Sequence, residues 1–379
     1  MTRLPLAGVT VVAIEQAVAA PFASRQLADL GARVIKVERA AGDFARDYDR
    51  TVHGLSSYFV WLNRGKESIV LDLKAERDVD VLRELVRHSD VLIQNLAPGA
   101  IERIGLGPDA ALELNPRLIH ASITGYGRGG DYATKKAYDL LVQCEAGLLD
   151  VTGTPEAGAK VGISIADIAA GMYAYTGVLT ALLQRGITGL GDVIEVSMLD
   201  ALGEWMTQPY LFAEYSGASP RRSGAAHASI APYGPVDVRD GRVFLAIQNP
   251  REWVAFCCNV LEDESLATDP RFSDNTARVD NRGELDRLVA DRLQRSGVAE
   301  LTAQLDSAGI ANARLRTMNE FSHHPQLKER DRWRDITTPA GPVRVLLPPV
   351  VSRSVTPQMG AVPMVGEHTA AILAELSRQ

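Results

Sequence analysis

The chain has 379 residues, 46% hydrophobic and 23% charged, ordinary globular values that exclude a disordered, collagen-like or disulfide-stapled protein. At this length two domains are expected. A formal charge of −7 offers no basic excess of the kind a dedicated nucleic-acid binder carries, so an anionic ligand has to be met by local cations.

The longest near-apolar runs, such as Val9–Ile14 and Val178–Leu183, fall short of the roughly 20 residues that cross a bilayer. The opening Met-Thr-Arg-Leu-Pro-Leu lacks the apolar core of a signal peptide. Cys144, Cys257 and Cys258 are odd in number and two are adjacent, which suits a reducing compartment. The expectation is a cytoplasmic enzyme without nucleic-acid or membrane partners.

In chain order, Val9–Glu15 reads as a buried strand, Pro21–Gly31 as a helix and Val34–Glu38 as a second strand, which is one βαβ unit. Ser68–Leu73, Ala75–Ser89, Asp90–Leu96 and Arg117–Thr124 continue the alternation as strand, helix, strand and strand, so the first domain is α/β with a parallel sheet. Ile165–Arg185 is apolar nearly all round and rich in Gly and Ala, the pattern of a helix in close contact with its neighbours. Val193–Met198 reads as a strand and Leu199–Tyr215 as a helix, with Ser216–Gly224 as an exit linker. Beyond it Gly241–Ala246 reads as a strand, and Pro250–Leu261 and Glu284–Ala308 as helices of a smaller α+β unit. Pro339–Pro363 shows little helical periodicity, and Glu367–Leu376 reads as a short terminal helix.

Gly125-Tyr-Gly-Arg-Gly-Gly130 matches the dinucleotide signature but fails its context, because no helix opens directly after it and no strand ends in an acid about 20 residues on. No G-x-S-x-G, P-loop, H-E-x-x-H or C-x-x-C is present. His323-His324 has no acid or Cys partner at ligand spacing and reads as a surface loop, so no metal site is expected. Asp167 stands at the mouth of the Gly/Ala-rich helix, where free N–H groups favour a carboxylate. Two roles fit it: a helix-terminal acid, or a nucleophile towards an activated acyl group. Arg39, Lys74, Arg103, Lys135 and Lys136 follow strands or open loops, as scattered surface cations or as a set converging on phosphates.

These residues resemble the class III CoA-transferases, which include formyl-CoA transferase, carnitine CoA-transferase and the related 2-methylacyl-CoA racemases. The resemblance covers nearly the whole chain. It is carried by Leu27-Ala-Asp-Leu-Gly-Ala-Arg-Val-Ile-Lys-Val-Glu-Arg39, Asn63-Arg-Gly-Lys-Glu-Ser, Leu71-Asp-Leu-Lys74, Gln94-Asn-Leu-Ala-Pro-Gly-Ala100, Ser122-Ile-Thr-Gly-Tyr-Gly127, Ala166-Asp-Ile-Ala-Ala-Gly171 and Gly366-Glu-His-Thr.

The resemblance implies a large Rossmann-like domain over 1–215 and 326–379, a smaller inserted α+β domain over 216–325, and an interlocked homodimer. It implies Asp167 as the nucleophile, passing through an aspartyl anhydride and an aspartyl-CoA thioester. It also implies that CoA, a substrate rather than a tightly bound cofactor, lies against Val18, Ala19, Arg39, Leu73, Lys74, Asn95, Leu96, Ala100, Arg103 and Lys136, with Tyr138 beside it. Formyl-CoA transferase has Gln where Val18 stands, which argues against a formyl or oxalyl enzyme. The racemases carry His where Tyr138 stands, and a phenol of reference pKa about 10 is poorly suited to two-base proton exchange. Segments such as Ala225-Ala-His-Ala-Ser-Ile-Ala-Pro-Tyr-Gly are most similar to enzymes that move CoA from succinyl-CoA to itaconate, mesaconate or citramalate. His227, or an Arg such as Arg46, Arg221 or Arg222, is the expected donor to the distal carboxylate, with His227 as a plain loop residue the alternative. A racemase and a noncatalytic CoA-binding protein are the other readings.

Overall fold

The computed structural model describes residues 4–378. Met1–Arg3, on which part of the leader reading rested, and Gln379 lie outside the described residues. The chain divides into two compact units. The first runs up to Leu148 and takes in Val161–Gln208 and the chain from Leu327 onward; the second comprises Leu149–Lys160 and Pro209–Gln326. The expected boundaries need correcting at three places, because Leu149–Lys160, Pro209–Tyr215 and Gln326 go with the second unit. The first of these is tied there by hydrogen bonds that only folding reveals: the Gly224 N–H donates to Gly153 O at 2.8 Å, and Arg222 Nε to Thr154 O at 2.9 Å.

In the first unit Thr10–Ile14 (β1), Arg33–Glu38 (β2), Lys66–Val70 (β3), Val91–Gln94 (β4), Ile119–Thr124 (β5) and Asp192–Ser197 (β6) form a six-stranded sheet of order β3-β2-β1-β4-β5-β6. Every adjacent pair is parallel. Strands covered on both faces carry continuous β-branched and aliphatic runs, and Val11, Val12, Ala13, Leu92 and Ile93 are fully buried. All six were legible in the sequence to within a few residues. The chain order reverses between β1 and β4, and ligands of such sheets bind beyond the carboxyl ends of the strands at that point. The outer edge of β3 is covered by the C-terminal segment. There the Ser68 N–H donates to His368 Nδ1 at 3.1 Å and the Val70 N–H to Thr369 Oγ1 at 3.0 Å. Ile372 of the helix Thr369–Leu376 joins the core formed with Leu82 and Leu85.

The helix Ile165–Thr188 buries Ala166, Ala169, Ala170, Gly171, Ala174, Val178 and Ala181. Small residues are needed because this helix lies hard against the helix Ala19–Asp29: a Cβ at Gly171 would sit 2.6 Å from Ala19 O. At 24 residues it is long and apolar enough to cross a bilayer by length and composition, which the short uninterrupted runs in the sequence did not suggest. It packs instead on the sheet unit through its Ala/Gly face, while Leu183 and Ile187 on another face are exposed.

The glycine turn after β5 does not open a helix. Gly125 is required by close approach, since a Cβ there would lie 2.2 Å from the Ala137 Cβ, and the next helix begins only at Asp139.

The second unit has a three-stranded antiparallel sheet of Tyr233–Val238 (β7), Gly241–Ala246 (β8) and Ala311–Arg314 (β9). Its core gathers around Trp253, Phe256 and Phe272. The helix expected over Glu284–Ala308 is two, Arg282–Leu293 and Val298–Ser307, separated by a break at which Gly297 becomes the N-cap. Leu199–Tyr215 likewise resolves into Met198–Trp205 and Thr207–Ser216. Back in the first unit, part of Pro339–Pro363 is strand: Trp333–Thr338 (β10) pairs antiparallel with Gly341–Leu346 (β11).

Candidate active site

The carboxyl ends of β1 to β4 open into one cleft of about 230 Å³. Arg39, Leu73, Lys74 and Leu96, four of the sequence-derived CoA contacts, line it together. The Arg39 and Lys74 side chains are exposed, so both cations are open to a ligand. Asn95, just past β4, works on the loop after β1: its Oδ1 accepts the Gln16 N–H at 3.0 Å and its Nδ2 donates to Gln16 O at 2.8 Å. Val18 is the N-cap of the helix that Ala19 begins, with no side-chain cap of its own. Ala100 and Arg103 bound a short helix beyond β4. Those two, together with the exposed Lys136 and Tyr138, are not among the residues lining the cleft.

Sequence reasoning missed the floor of this cleft, a network of buried charges. Lys66 Nζ donates to Glu15 Oε1 at 2.6 Å, and Ser24 Oγ to Glu15 Oε2 at 2.6 Å. Lys36 Nζ pairs with Asp43 Oδ2 at 2.9 Å and with Glu15 at 3.4 Å. Glu38 receives Arg46 at 2.7 and 2.9 Å and Ser68 Oγ at 2.6 Å. Burial alone would raise the Glu15 carboxyl, but Lys66 and Lys36 overcome it and hold Glu15 below the usual range. Burial depresses the Lys66 ammonium to about 7 in spite of Glu15. Lys36 is also opposed by burial, but Glu15, Asp43 and Glu38 carry it above its ordinary value. The signal was present as charged residues at alternating strand positions, Lys36 and Glu38 on β2 and Lys66 on β3, inside otherwise apolar runs.

Arg46 belongs to this network. The expectation that it supplies a donor to substrate is corrected: its guanidinium forks onto Glu38, donates to Pro363 O at 3.2 Å and lies 3.6 Å over the Phe59 ring. Arg222 is likewise engaged, on the carbonyls of Asp150, Thr154 and Pro155. His227, in the second unit, is exposed and stacks on Tyr233 with centroids 5.1 Å apart. Its Nδ1 accepts the Ser229 N–H at 3.1 Å, which leaves the proton of the neutral ring on Nε2.

Asp167 sits in the first turn of the long helix, where the formal N-cap Ser164 makes no side-chain cap. The cap is supplied from another helix. Asp139 Oδ1 accepts the N–H groups of Ala166 at 2.8 Å and Asp167 at 3.4 Å, while Asp139 Oδ2 accepts from Gln143 Nε2 at 2.7 Å. Gln143 in turn accepts the Val161 N–H at 3.1 Å. Burial and, second, the Asp139 charge raise the Asp167 carboxyl to about 7. The Tyr48 phenol is pushed up to about 12, by burial first and then by Asp43, Asp167 and Tyr138, so these groups share one electrostatic environment. A half-buried carboxylate of raised basicity on a rigid helix is a competent nucleophile for acyl transfer.

The sequence model of CoA-transferase family III matches residues 6–369. The chain belongs to that family. It is therefore a CoA-transferase by family. It is 32% identical over 383 residues to a succinate–glutarate CoA-transferase of Agrobacterium fabrum, covering 98% of this chain and 96% of the relative. It is 34% identical over 347 residues to an acetyl-CoA:oxalate CoA-transferase of Acetobacter aceti, covering 90% and 89%. The crystal structure of a CAIB/BAIF family protein from Brucella suis superposes with a TM-score of 0.87 at 34% identity, covering 99% of this chain and all of the other. For a family III CoA-transferase, CoA thioesters are substrates, and among the described residues no His, Cys, Asp and Glu cluster suited to a metal occurs.

Proposed function

We propose that this CoA-transferase moves CoA from an acyl-CoA, succinyl-CoA by preference, to a five-carbon dicarboxylate such as glutarate, itaconate, mesaconate or citramalate. Asp167 carries the reading, a raised-basicity carboxylate held at a capped helix start. Its carboxylate attacks the thioester carbonyl, the C–S bond breaks, and CoA leaves as thiolate with a mixed anhydride left behind. The thiolate attacks the Asp167 carbonyl of that anhydride, giving aspartyl-CoA and releasing the donor acid as its carboxylate. The acceptor carboxylate then attacks aspartyl-CoA, and the thiolate released attacks the acceptor's carbonyl, freeing product and Asp167. Each step exchanges one activated acyl bond for another, so the thioester's energy is retained. Water has to be kept from the anhydride.

Arg39 and Lys74 at the cleft mouth supply the charge complementarity for the CoA phosphates. The relative named for glutarate supports the acceptor class. The same reading takes the protein as a homodimer in the cytoplasm. Exposed Leu183, Ile187 and Tyr215 support association of two chains, and the free cysteines support a reducing compartment.

Incubation with succinyl-CoA and intact-mass measurement should show a CoA thioester adduct that Asp167→Ala loses; no adduct in the parent protein refutes the covalent route. A panel of acids with succinyl-CoA should favour five-carbon dicarboxylates. Turnover of oxalate or of monocarboxylates alone would reject that acceptor class.

A further inference from the structure

The loop between β1 and the helix Ala19–Asp29 contains a non-glycine residue in the left-handed region, Ala17 at φ 61°. L-residues adopt that conformation at a cost, and it persists where surrounding contacts impose it. Two contacts do so here. Asn95 binds both backbone groups of Gln16, as described above, and the Ala17 N–H donates to Asp43 Oδ1 at 3.2 Å. Asp43 is itself fixed. Its Oδ1 also accepts the Ala45 N–H at 2.9 Å, its Oδ2 takes the fully buried Lys36 ammonium at 2.9 Å, and its own N–H donates to Glu38 Oε1 at 2.9 Å. The loop so held has the cleft on one side, lined by Gln16 and Asp43. On the other side Ala19 O and Phe22 lie against Gly171, one turn beyond Asp167.

We propose that Asp43 is a positioning residue for the CoA-binding face. Anchored on Lys36, its carboxylate holds Ala17 left-handed and so sets the loop Gln16–Ala19 between the CoA cleft and the helix that carries Asp167. This rests on the reading of the cleft as the CoA site. Acyl-CoA then binds to a pre-organised loop instead of ordering it on arrival.

Removing Asp43 alone leaves the buried Lys36 ammonium with only the Glu15 that Lys66 also holds, so the test removes the pair. Lys36→Met/Asp43→Asn keeps an Oδ1 acceptor for Ala17, whereas Lys36→Met/Asp43→Ala does not, and neither leaves Lys36 charged. Calorimetric titration of each full-length protein with CoA should show the Ala variant binding at least fivefold more weakly than the Asn variant. Its KM for succinyl-CoA should rise by a similar factor and its kcat by much less than that should fall. Adding Ala17→Gly to the Ala variant should recover most of the loss, because glycine adopts φ above zero without a steric cost. A merely structural lesion would not be repaired by glycine at position 17. Equal CoA affinity of the two double variants, or no recovery with glycine, overturns the proposal. Failure of the parent protein to bind CoA overturns the reading of the cleft itself. Should the Ala variant not fold, Ala17→Val in the parent decides, since a β-branched residue resists the left-handed region: unchanged CoA affinity there also overturns the proposal.

Discussion

Asp139→Asn isolates what the neighbouring charge does to the nucleophile. Asparagine keeps an oxygen for the Ala166 and Asp167 N–H groups, so the helix start stays capped; the hydrogen bond from Gln143 Nε2 is lost because an amide nitrogen cannot accept it, at about 1 kcal/mol for one hydrogen bond. Asp167 rises from 3.8 to about 7, with burial the larger cause and Asp139 the second. The share of Asp139 is therefore the smaller of the two. The groups facing Asp167 electrostatically are Asp139 and, from the loop after β2, Tyr48, with Tyr138 adjoining both. The attacking species is the carboxylate, so activity falls as pH drops through the Asp167 pKa. In kcat profiles between pH 5 and 9 the acid limb should move to lower pH in the variant, by less than burial alone has raised it. At pH 6 the ionised fraction, about one-tenth for a carboxyl at about 7, should rise, while the high-pH plateau drops because a less basic carboxylate attacks more slowly. An acid limb that stays in place would refute the coupling of the two carboxylates.

Asp167→Asn removes a carboxyl that the folded protein prefers protonated. The raised pKa means the folded state binds the proton more tightly, so stability is lost as pH rises from about 4 to about 7. The variant should therefore unfold at higher denaturant than the parent at pH 8 and match it near pH 4; the reverse order at pH 8 contradicts the sign. Gly171→Ala places a methyl 2.6 Å from Ala19 O and should cost about 1–3 kcal/mol in urea unfolding, with a matching loss of activity. Arg46→Ala strips the fully buried Glu38 of its partner and should destabilise by about 3 kcal/mol while leaving the preference among acceptor acids unchanged. A changed acid preference would restore Arg46 as a substrate donor. Arg39→Ala/Lys74→Ala should raise KM for succinyl-CoA about tenfold and leave KM for a succinyl-pantetheine thioester, which lacks the phosphates, nearly unchanged.

The parallel sheet was legible because its strands are short apolar runs separated by Gly, Pro and charged turns, and Asp167 was legible because it opens a helix whose Ala and Gly content marks close packing. Asp139 was not. It precedes an ordinary-looking Leu-Leu-Val, and its service to a helix start more than twenty residues downstream depends on how two helices meet. Arg46 was misread for the same reason. A guanidinium in a loop after a strand is equally a ligand donor or an internal partner until Glu38 is placed beside it. The two-helix break at Gly297 shows the opposite case, where the glycine was visible in the sequence but its role as a cap needed the geometry of the Arg239 to Asp240 turn packed against it.

The charge balance of the cleft follows from the same network. Below the site the buried carboxylates of Glu15, Glu38 and Asp43 are matched one for one by Lys36, Lys66 and Arg46. While Lys66 is protonated, the floor therefore adds no net charge to a protein that is −7 overall. Attraction for a polyanionic substrate must come from exposed cations at the rim, Arg39 and Lys74, which work in high dielectric and within a Debye length of about 8 Å at physiological salt. The buried network sets shape and the rim sets affinity. The two are separable by salt: the succinyl-CoA KM of the parent should rise with ionic strength, and the weakening caused by the Lys36→Met/Asp43→Ala change should persist at every salt concentration, because the contact it removes lies beneath the reach of counterions. A salt-dependent ratio between the Asn and Ala double variants would place Asp43 among the rim charges and undo that separation.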